Sequence, residues 1–276
     1  MSAASATGLS QALDFRAECD ELHAVLVTAP AAAWHAPTQF KGWTFDDILG
    51  HLKFSDYAAA VAARSRDEVH ALFREVHAAR AAGISFADYT RRWLQGCAGP
   101  ALLARWREQY EQLAATFAKF APEQRLGWAG PDMSARSFMS ARQMETWAHG
   151  QAIYDVLGLE RIEHDRLRNI AVMGVNTFGW SFKVHQREAP AEQPYVRLTS
   201  PSGATWEWND VSASSRIEGS AVDFCRVVTQ TRNVRDTALR VSGDSAWQWM
   251  EIAQCFAGPP EQPPVPGTRG PSTQFA

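Results

Sequence analysis

The sequence has few lysines and no long apolar run. Only four of its 27 basic residues are lysines, so arginine carries nearly all of the positive charge. The 30 acidic residues outnumber the basic ones and leave a formal charge of −3. A nearly neutral chain lacks the strongly basic surface with which proteins bind nucleic acid. No run of about 18 uncharged apolar residues is present, as a membrane-spanning helix would need. We therefore expect neither a nucleic-acid partner nor a membrane partner.

Cysteine is also scarce, with four residues in 276 and no CxxC spacing among them. Disulfide frameworks are typical of short secreted chains that need them in place of a large core. The amino-terminal segment lacks the basic and apolar regions of a secretory signal. We therefore expect reduced cysteines and a cytoplasmic protein.

Residues 1–190 are expected to form an up-and-down helical bundle. Apolar residues recur there at helical spacing, and Thr44 begins a capping-box motif ahead of one of the helices. Two later helices are predicted over about 136–157 and 163–184. Short loops between long amphipathic helices imply that neighbouring helices are antiparallel.

A small α+β domain is expected over residues 191–257, because short strand patterns replace the long helical ones there. The segment 258–276 is rich in proline and predicts an extended tail. The predicted fold class is therefore α plus α+β, a helical bundle followed by a small mixed domain. The strands are predicted at 195–199, 205–208, 216–218 and 238–241, and the helices at 222–229 and 246–256.

Three polar residues lie on the apolar face of the helix over 136–157. At about 100° per residue, His149 falls near 40° and Arg142 near 60° from Glu145. A carboxylate and an imidazole four residues apart project in parallel, which suits two ligands of one cation. The alternative is that Arg142 neutralises Glu145 and His149 is an ordinary core histidine.

His51 also lies on an apolar helical face, on the helix that Thr44 begins. One inward histidine on an early helix and an inward Glu-x-x-x-His on a late one are what a metal site in a bundle core requires. Two histidines and a glutamate leave a coordination position open, as in catalytic zinc sites. The other six histidines form no comparable inward set, and we expect no ligand role for them.

The run from Gly42 through Thr44 to His51, together with the Arg-x-x-Glu-x-x-x-His run, resembles the mycothiol-dependent maleylpyruvate isomerases. These enzymes belong to the DinB-like metalloenzyme superfamily, and the resemblance extends over about residues 8–257. Plain DinB-like proteins tend to use three histidines, so a glutamate indicates the isomerase branch. The resemblance implies that a divalent metal ion, zinc in the first place and nickel in the second, is held by His51, Glu145 and His149.

The resemblance also implies a mycothiol or another low-molecular-weight thiol as cofactor, a small-molecule substrate and a homodimer. The family carries an arginine near a helix end of its second domain, and Arg232 holds the matching position. Its neighbours depart from the family pattern, and a helix cap is an equal alternative for it. The length and the proline-rich tail make the chain similar to a sister group of metal-binding proteins of unassigned reaction.

The residues together with this resemblance predict a metal-dependent isomerase or transferase that uses a thiol and acts on a small acidic or acyl electrophile. The catalytic candidates are Arg232 and Arg142, either of which would hold a substrate carboxylate by paired hydrogen bonds. Two alternatives remain open. One is a non-catalytic protein that binds a metal and a small ligand, and the other is a hydrolase in which a metal-bound water attacks.

Overall fold

The structure, a computed structural model, describes residues 8–130 and 132–275. Its fold class is α plus α+β, as expected from the sequence. The chain divides into two compact units, the first extending to Ile153 and the second running from Tyr154 to Gln274. None of the helices among the described residues is long and apolar enough to cross a membrane.

The first unit consists of helices joined by short connections and one two-stranded hairpin. Within it α5 packs against both α1 and α2, and large aromatic side chains such as Trp106 and Phe138 are fully buried. The elements are α1 (Ser10–Thr28), α2 (Phe45–Arg64), α3 (Arg66–Ala81), α4 (Phe86–Trp93), α5 (Gly99–Phe117), β1 (Arg125–Leu126), β2 (Met133–Ser134) and α6 (Ala135–Leu157), whose last turn lies in the second unit.

The predicted capping box at the start of α2 is present. The hydroxyl of Thr44 accepts a hydrogen bond from the Asp47 amide at 3.3 Å, and the Asp47 carboxylate accepts one from the Thr44 amide at 3.0 Å. Arg91 of α4 also donates to the Asp47 carboxylate, from Nε at 2.6 Å. These bonds satisfy free amides of the first turn and fix the residue at which α2 begins, and so the face on which His51 lies.

The second unit combines short helices with a four-stranded mixed sheet. The strand order is β4-β3-β5-β6, in which β3 pairs antiparallel with β4 and parallel with β5, and β5 pairs antiparallel with β6. Its elements are α7 (Arg168–Asn176), α8 (Phe178–Val184), β3 (Tyr195–Thr199), β4 (Thr205–Trp208), β5 (Arg216–Ser220), α9 (Ala221–Val228), β6 (Arg240–Ser242) and α10 (Asp244–Met250).

The compact second unit takes in α7 and α8, which the sequence assigned to the bundle through the boundary at residue 190. Close packing inside this unit accounts for the difference. A Cβ added at Gly174 of α7 would lie 2.8 Å from Val228 and 2.9 Å from Phe224, so α7 approaches α9 closely at this glycine. Composition changes after Pro190, but the contacts that build the second unit begin earlier in the chain.

The helix predicted over 163–184 is interrupted. A short 3-10 helix at Asp165–Leu167 precedes α7, and Thr177 separates α7 from α8. The Thr177 hydroxyl donates to the carbonyls of Met173 at 2.8 Å and Gly174 at 2.9 Å. Such side-chain bonds compete with the helical backbone, which helical periodicity alone does not reveal. The closing helix is also shorter than predicted, since α10 ends at Met250.

The proline-rich tail has no helix or strand between residue 258 and its last described residue, 275, as expected. It is nevertheless fastened to the second unit by side-chain amides. Gln254 accepts a bond from the Glu261 amide at 3.0 Å, and Asn233 donates to the Pro264 carbonyl at 2.9 Å. Prolines have no amide donor of their own, so polar side chains outside the tail supply the bonds that hold it.

Candidate metal centre

The structure brings together His51 of α2 with Glu145 and His149 of α6. Oε2 of Glu145 lies 2.9 Å from Nε2 of His51 and 3.3 Å from Nε2 of His149. One ligand atom from each of the three residues lies within 4.8 Å of the other two. The side chains are 14%, 25% and 13% exposed in chain order, so the cluster is largely enclosed and still reachable from solvent.

Burial and mutual contact set the charges of this cluster. Burial, together with the nearby His149, lowers the pKa of His51 to about 4, although contact with Glu145 acts in the opposite direction. Burial alone would raise the pKa of Glu145, but hydrogen bonds with His149 and His51 outweigh it and hold that pKa well below its usual range. At neutral pH the carboxylate is therefore ionised and the His51 imidazole neutral, the forms in which both groups bind metals.

The donor set fits a divalent ion. Two imidazole nitrogens and one carboxylate oxygen converge, and nitrogen and oxygen ligands of this kind are typical of zinc sites that keep an open position. Nδ1 of His51 is buried and has no hydrogen-bond partner among the residues that the structure describes. Ligand histidines usually donate this second N–H to an acceptor, so Nδ1 is a buried donor that the described residues leave unsatisfied.

Aromatic rings surround the two histidines. The Trp43 ring is stacked on His149 with centroids 5.8 Å apart and an interplanar angle of 6°, and Phe40 meets the same imidazole edge-on at 4.9 Å. Phe86 of α4 contacts His51 edge-on at 5.4 Å. We call Phe40, Trp43 and Phe86 the aromatic wall. It restricts the rotation of both imidazoles and gives the cluster an apolar rim, which the sequence analysis missed.

Arg142 pairs with Asp56 and not with Glu145. Its Nε donates to Oδ1 of Asp56 at 3.0 Å, and its Nη2 lies 2.9 Å from the same oxygen. Trp106 donates from Nε1 to the other carboxylate oxygen at 3.0 Å. The alternative in which Arg142 simply neutralises Glu145 therefore does not describe the structure. One feature of the sequence could have indicated this pairing. Asp56 is an acidic residue of α2, and neighbouring positions of that helix, Ala58 and Ala59 among them, are buried.

Arg232 forms a second buried ion pair, in the second unit. Its Nη2 and Nη1 donate to the two oxygens of Asp155 at 2.6 and 2.9 Å, and the side chains are 9% and 6% exposed. Nη1 also donates to the Thr231 carbonyl at 2.8 Å. Two parallel bonds of this kind are the strongest arrangement of a guanidinium and a carboxylate. In this structure both arginine candidates are thus already bound to carboxylates of the chain.

The cysteines and the remaining histidines give no second centre. All four cysteines are free, and Cys19, Cys225 and Cys255 are buried. Burial is the main cause that raises the pKa of both the Cys19 and the Cys225 thiol, so neither is a ready nucleophile. Among the described residues, the three-residue cluster is the one group of histidine, cysteine and acidic side chains with metal-binding geometry.

The family follows from a comparison of the sequence. The model of the mycothiol maleylpyruvate isomerase N-terminal domain matches residues 15–154, which is more than half of the chain and includes all three clustered residues. The chain belongs to this family. Its membership agrees with the resemblance carried by the two short motifs around His51 and Glu145.

Relatives of this family member include two Mycobacterium tuberculosis proteins, from strains CDC 1551 and H37Rv, both described as uncharacterized. Each is 41% identical over 248 residues, which is 90% of this chain and 95% of the relative. A crystal structure of the mycothiol-dependent maleylpyruvate isomerase matches with a TM-score of 0.51 and 14% identity, over 79% of this chain and 87% of that one. A histidine-to-alanine mutant of that enzyme matches with a TM-score of 0.52 and 13% identity, over the same shares. At these identities the solved structures show a common fold.

Proposed function

We propose that this chain is a metal-dependent enzyme that uses a low-molecular-weight thiol to isomerise or conjugate a small electrophile. The observation that carries the proposal is the convergence of His51, Glu145 and His149 in a chain of the mycothiol maleylpyruvate isomerase N-terminal family. The preferred ion is zinc, with nickel second, and mycothiol is the first thiol to test. A homodimer and a cytoplasmic location are part of the same proposal.

His51, Glu145 and His149 would hold the ion. When bound, a divalent ion supplies the positive charge that keeps a coordinated thiol deprotonated at neutral pH. Three of the four cysteines of the chain are buried, and the fourth, Cys97, is not one of the clustered residues. An external thiol is therefore the nucleophile that the proposal requires.

The chemistry of such a thiolate accounts for both reaction types. The sulfur forms a bond to an electron-poor carbon of a conjugated double bond, and the displaced electron pair moves to the conjugated carbonyl group. Rotation about the resulting single bond, followed by expulsion of the thiolate, gives the isomer and returns the thiol. If a proton traps the adduct first, the product is a thioether and the reaction is a transfer.

The aromatic wall places apolar rings beside this cluster, and Trp43 orients the His149 imidazole by stacking. The role of Arg142 and Arg232 toward a substrate carboxylate remains part of the proposal. This role requires Arg142 to release Asp56, or Arg232 to release Asp155, and to bind the substrate carboxylate instead. An acyl electrophile without a carboxylate requires no such exchange.

The deciding experiment has two stages. Purified wild type, His51→Ala and Glu145→Ala are analysed for metal beside His77→Ala, which alters an exposed histidine of α3. We expect close to one ion per chain in wild type and in His77→Ala, and loss of the ion from both cluster variants. Metal retained by both cluster variants would overturn the site.

The second stage measures thiol consumption and double-bond isomerisation with mycothiol and a conjugated electrophile, before and after removal of the metal. Activity that depends on both metal and thiol supports the proposal. Hydrolysis without added thiol would identify the hydrolase alternative. Stoichiometric metal with no turnover of any electrophile would identify the binding-protein alternative.

A further inference from the structure

An open cavity of about 720 Å³ lies at the surface of the first unit, where five of its eight lining residues are exposed, and none of the three clustered residues lines it. The end of α4, the loop that follows and the first turns of α5 form its walls. Its chemically distinctive side chains are Trp93, Cys97 and Arg105. Cavities of this size are typical of sites for small molecules.

The loop that builds the cavity is held in a specific conformation. Gln95, Gly96 and Gly99 all have positive φ angles, of 52°, 81° and 57°. Such an angle is unusual for a residue with a side chain like Gln95, and it persists only where packing enforces it. Leu94, the residue before this stretch, packs against α2, since a Cβ added at Gly50 would lie 2.9 Å from its Cδ1. The loop is therefore anchored to α2 at one end.

Two cations without a carboxylate in contact lie near this cavity, one among its lining residues and one beside Trp93. Arg105 lines it, and Nζ of Lys53 lies 5.7 Å from the centre of the Trp93 ring. Neither forms an ion pair with any residue in the described part of the chain, whereas Arg107 donates to Glu111 at 3.1 Å.

Lys53 and Arg105 are close enough for their charges to interact, and Asp56 and Glu108 act on Lys53 from beyond ion-pair contact. Two neighbouring cations repel each other, and an anion bound near both removes that repulsion.

We propose that this cavity binds a small organic anion with a flat ring, such as an aryl phosphate or an aromatic carboxylate. Lys53 and Arg105 bind its anionic group, and Trp93 contacts its ring. Charge-assisted bonds from a guanidinium suit phosphate and carboxylate groups, and an indole offers a large flat apolar surface. This proposal does not depend on the proposed function, because it uses none of the candidate metal ligands.

Cys97 provides a reporter inside the cavity. It is partly exposed while the other three cysteines are buried. The rate at which N-ethylmaleimide alkylates the native protein therefore reports on the accessibility of Cys97. Alkylation is followed by mass spectrometry with phenyl phosphate, inorganic phosphate or benzyl alcohol present. We expect saturable protection by phenyl phosphate at lower concentrations than by inorganic phosphate, and no protection by the neutral alcohol.

The variants separate the anion site from a general cleft. In Lys53→Met and Arg105→Gln we expect the phenyl phosphate concentration for half-protection to rise roughly ten-fold or more, in line with the loss of one charge-assisted bond. Arg107→Gln is the matched control, in which phenyl phosphate should protect Cys97 from alkylation as it does in wild type. Protection is compared within each variant, because removing a cation also changes the intrinsic alkylation rate. Circular dichroism melting checks that each variant is folded.

Several results would overturn the proposal. Absence of saturable protection by phenyl phosphate excludes the site. Equal protection by benzyl alcohol indicates an apolar cleft, and equal protection by inorganic phosphate excludes a role for the ring. Unchanged protection in both cation variants excludes the binding mode.

Discussion

Nε of Arg142 donates a hydrogen bond to Oδ1 of Asp56 at 3.0 Å, and the two side chains are 3% and 0% exposed. Asp56 follows His51 on α2, and Arg142 precedes Glu145 on α6. The ion pair therefore joins the two helices beside the clustered residues. The pair aligns α2 with α6, because a buried ion pair fixes which residues of two helices face each other.

Breaking this pair should cost stability. In Asp56→Ala the Arg142 guanidinium stays buried without a carboxylate, and we expect the free energy of unfolding to fall by about 3–5 kcal/mol. Arg142→Met should have a similar effect on the remaining Asp56. The double variant should lose clearly less than the sum of the two, which urea unfolding of all four proteins measures. Simple additivity would show that the two side chains are not coupled.

Trp43 should influence metal affinity without being a ligand. Its ring stacks on His149, so Trp43→Leu frees the imidazole to rotate. We expect zinc binding to weaken by up to roughly ten-fold, as it does in other metal sites when a group that orients a ligand is lost. Competition with a chromophoric chelator measures the affinity. Trp247→Leu, which alters a tryptophan that is 41% exposed, is the control. Unchanged affinity in Trp43→Leu would mean that the stacking is packing alone.

Asp47 predicts an acid-sensitive contribution to stability. Burial would raise its pKa, but hydrogen bonds from Arg91 and Thr44 outweigh burial and lower it. A carboxylate whose folded pKa lies below the unfolded value of about 3.9 stabilises the fold above that pH, and this stabilisation disappears as pH falls through the folded pKa. Asp47→Asn should therefore reduce the unfolding free energy by about 1–3 kcal/mol at pH 7.

The difference between wild type and Asp47→Asn should shrink when denaturant unfolding is repeated at decreasing pH below about 4. Asp67→Asn, at an exposed position in the first turn of α3, is the control. Its free energy of unfolding should differ little from that of wild type, both at pH 7 and in acid. A difference that stays constant into acid would indicate that Asp47 acts through its shape and not through its charge.

Arg232 and Asp155 allow catalysis to be separated from structure. Arg232→Lys and Asp155→Asn both break the paired hydrogen bonds and should lower the melting temperature by comparable amounts. If Arg232 binds a substrate carboxylate, kcat/KM should fall much further in Arg232→Lys than in Asp155→Asn, assayed well below both melting temperatures. Equal losses would assign Arg232 a structural role.

Much of the fold was predictable because it depends on local pattern. The capping box at Thr44, the bounds of α6 and the hairpin of β3 and β4 all follow from residues close in sequence. The interruption at Thr177 did not follow, because it depends on where a hydroxyl turns in the folded helix. The extent of the second unit also required the close approach of α7 to α9.

The sequence by itself determined the faces of the helices. Helical periodicity put Glu145 and His149 on one side of α6 and His51 on the apolar side of α2, because 3.6 residues per turn is a local property. Only the tertiary structure decided which charges meet. Arg142 pairs with Asp56, 86 residues away, and Arg232 with Asp155, 77 residues away. Such pairings depend on how whole elements pack, and helical periodicity carries no information about them.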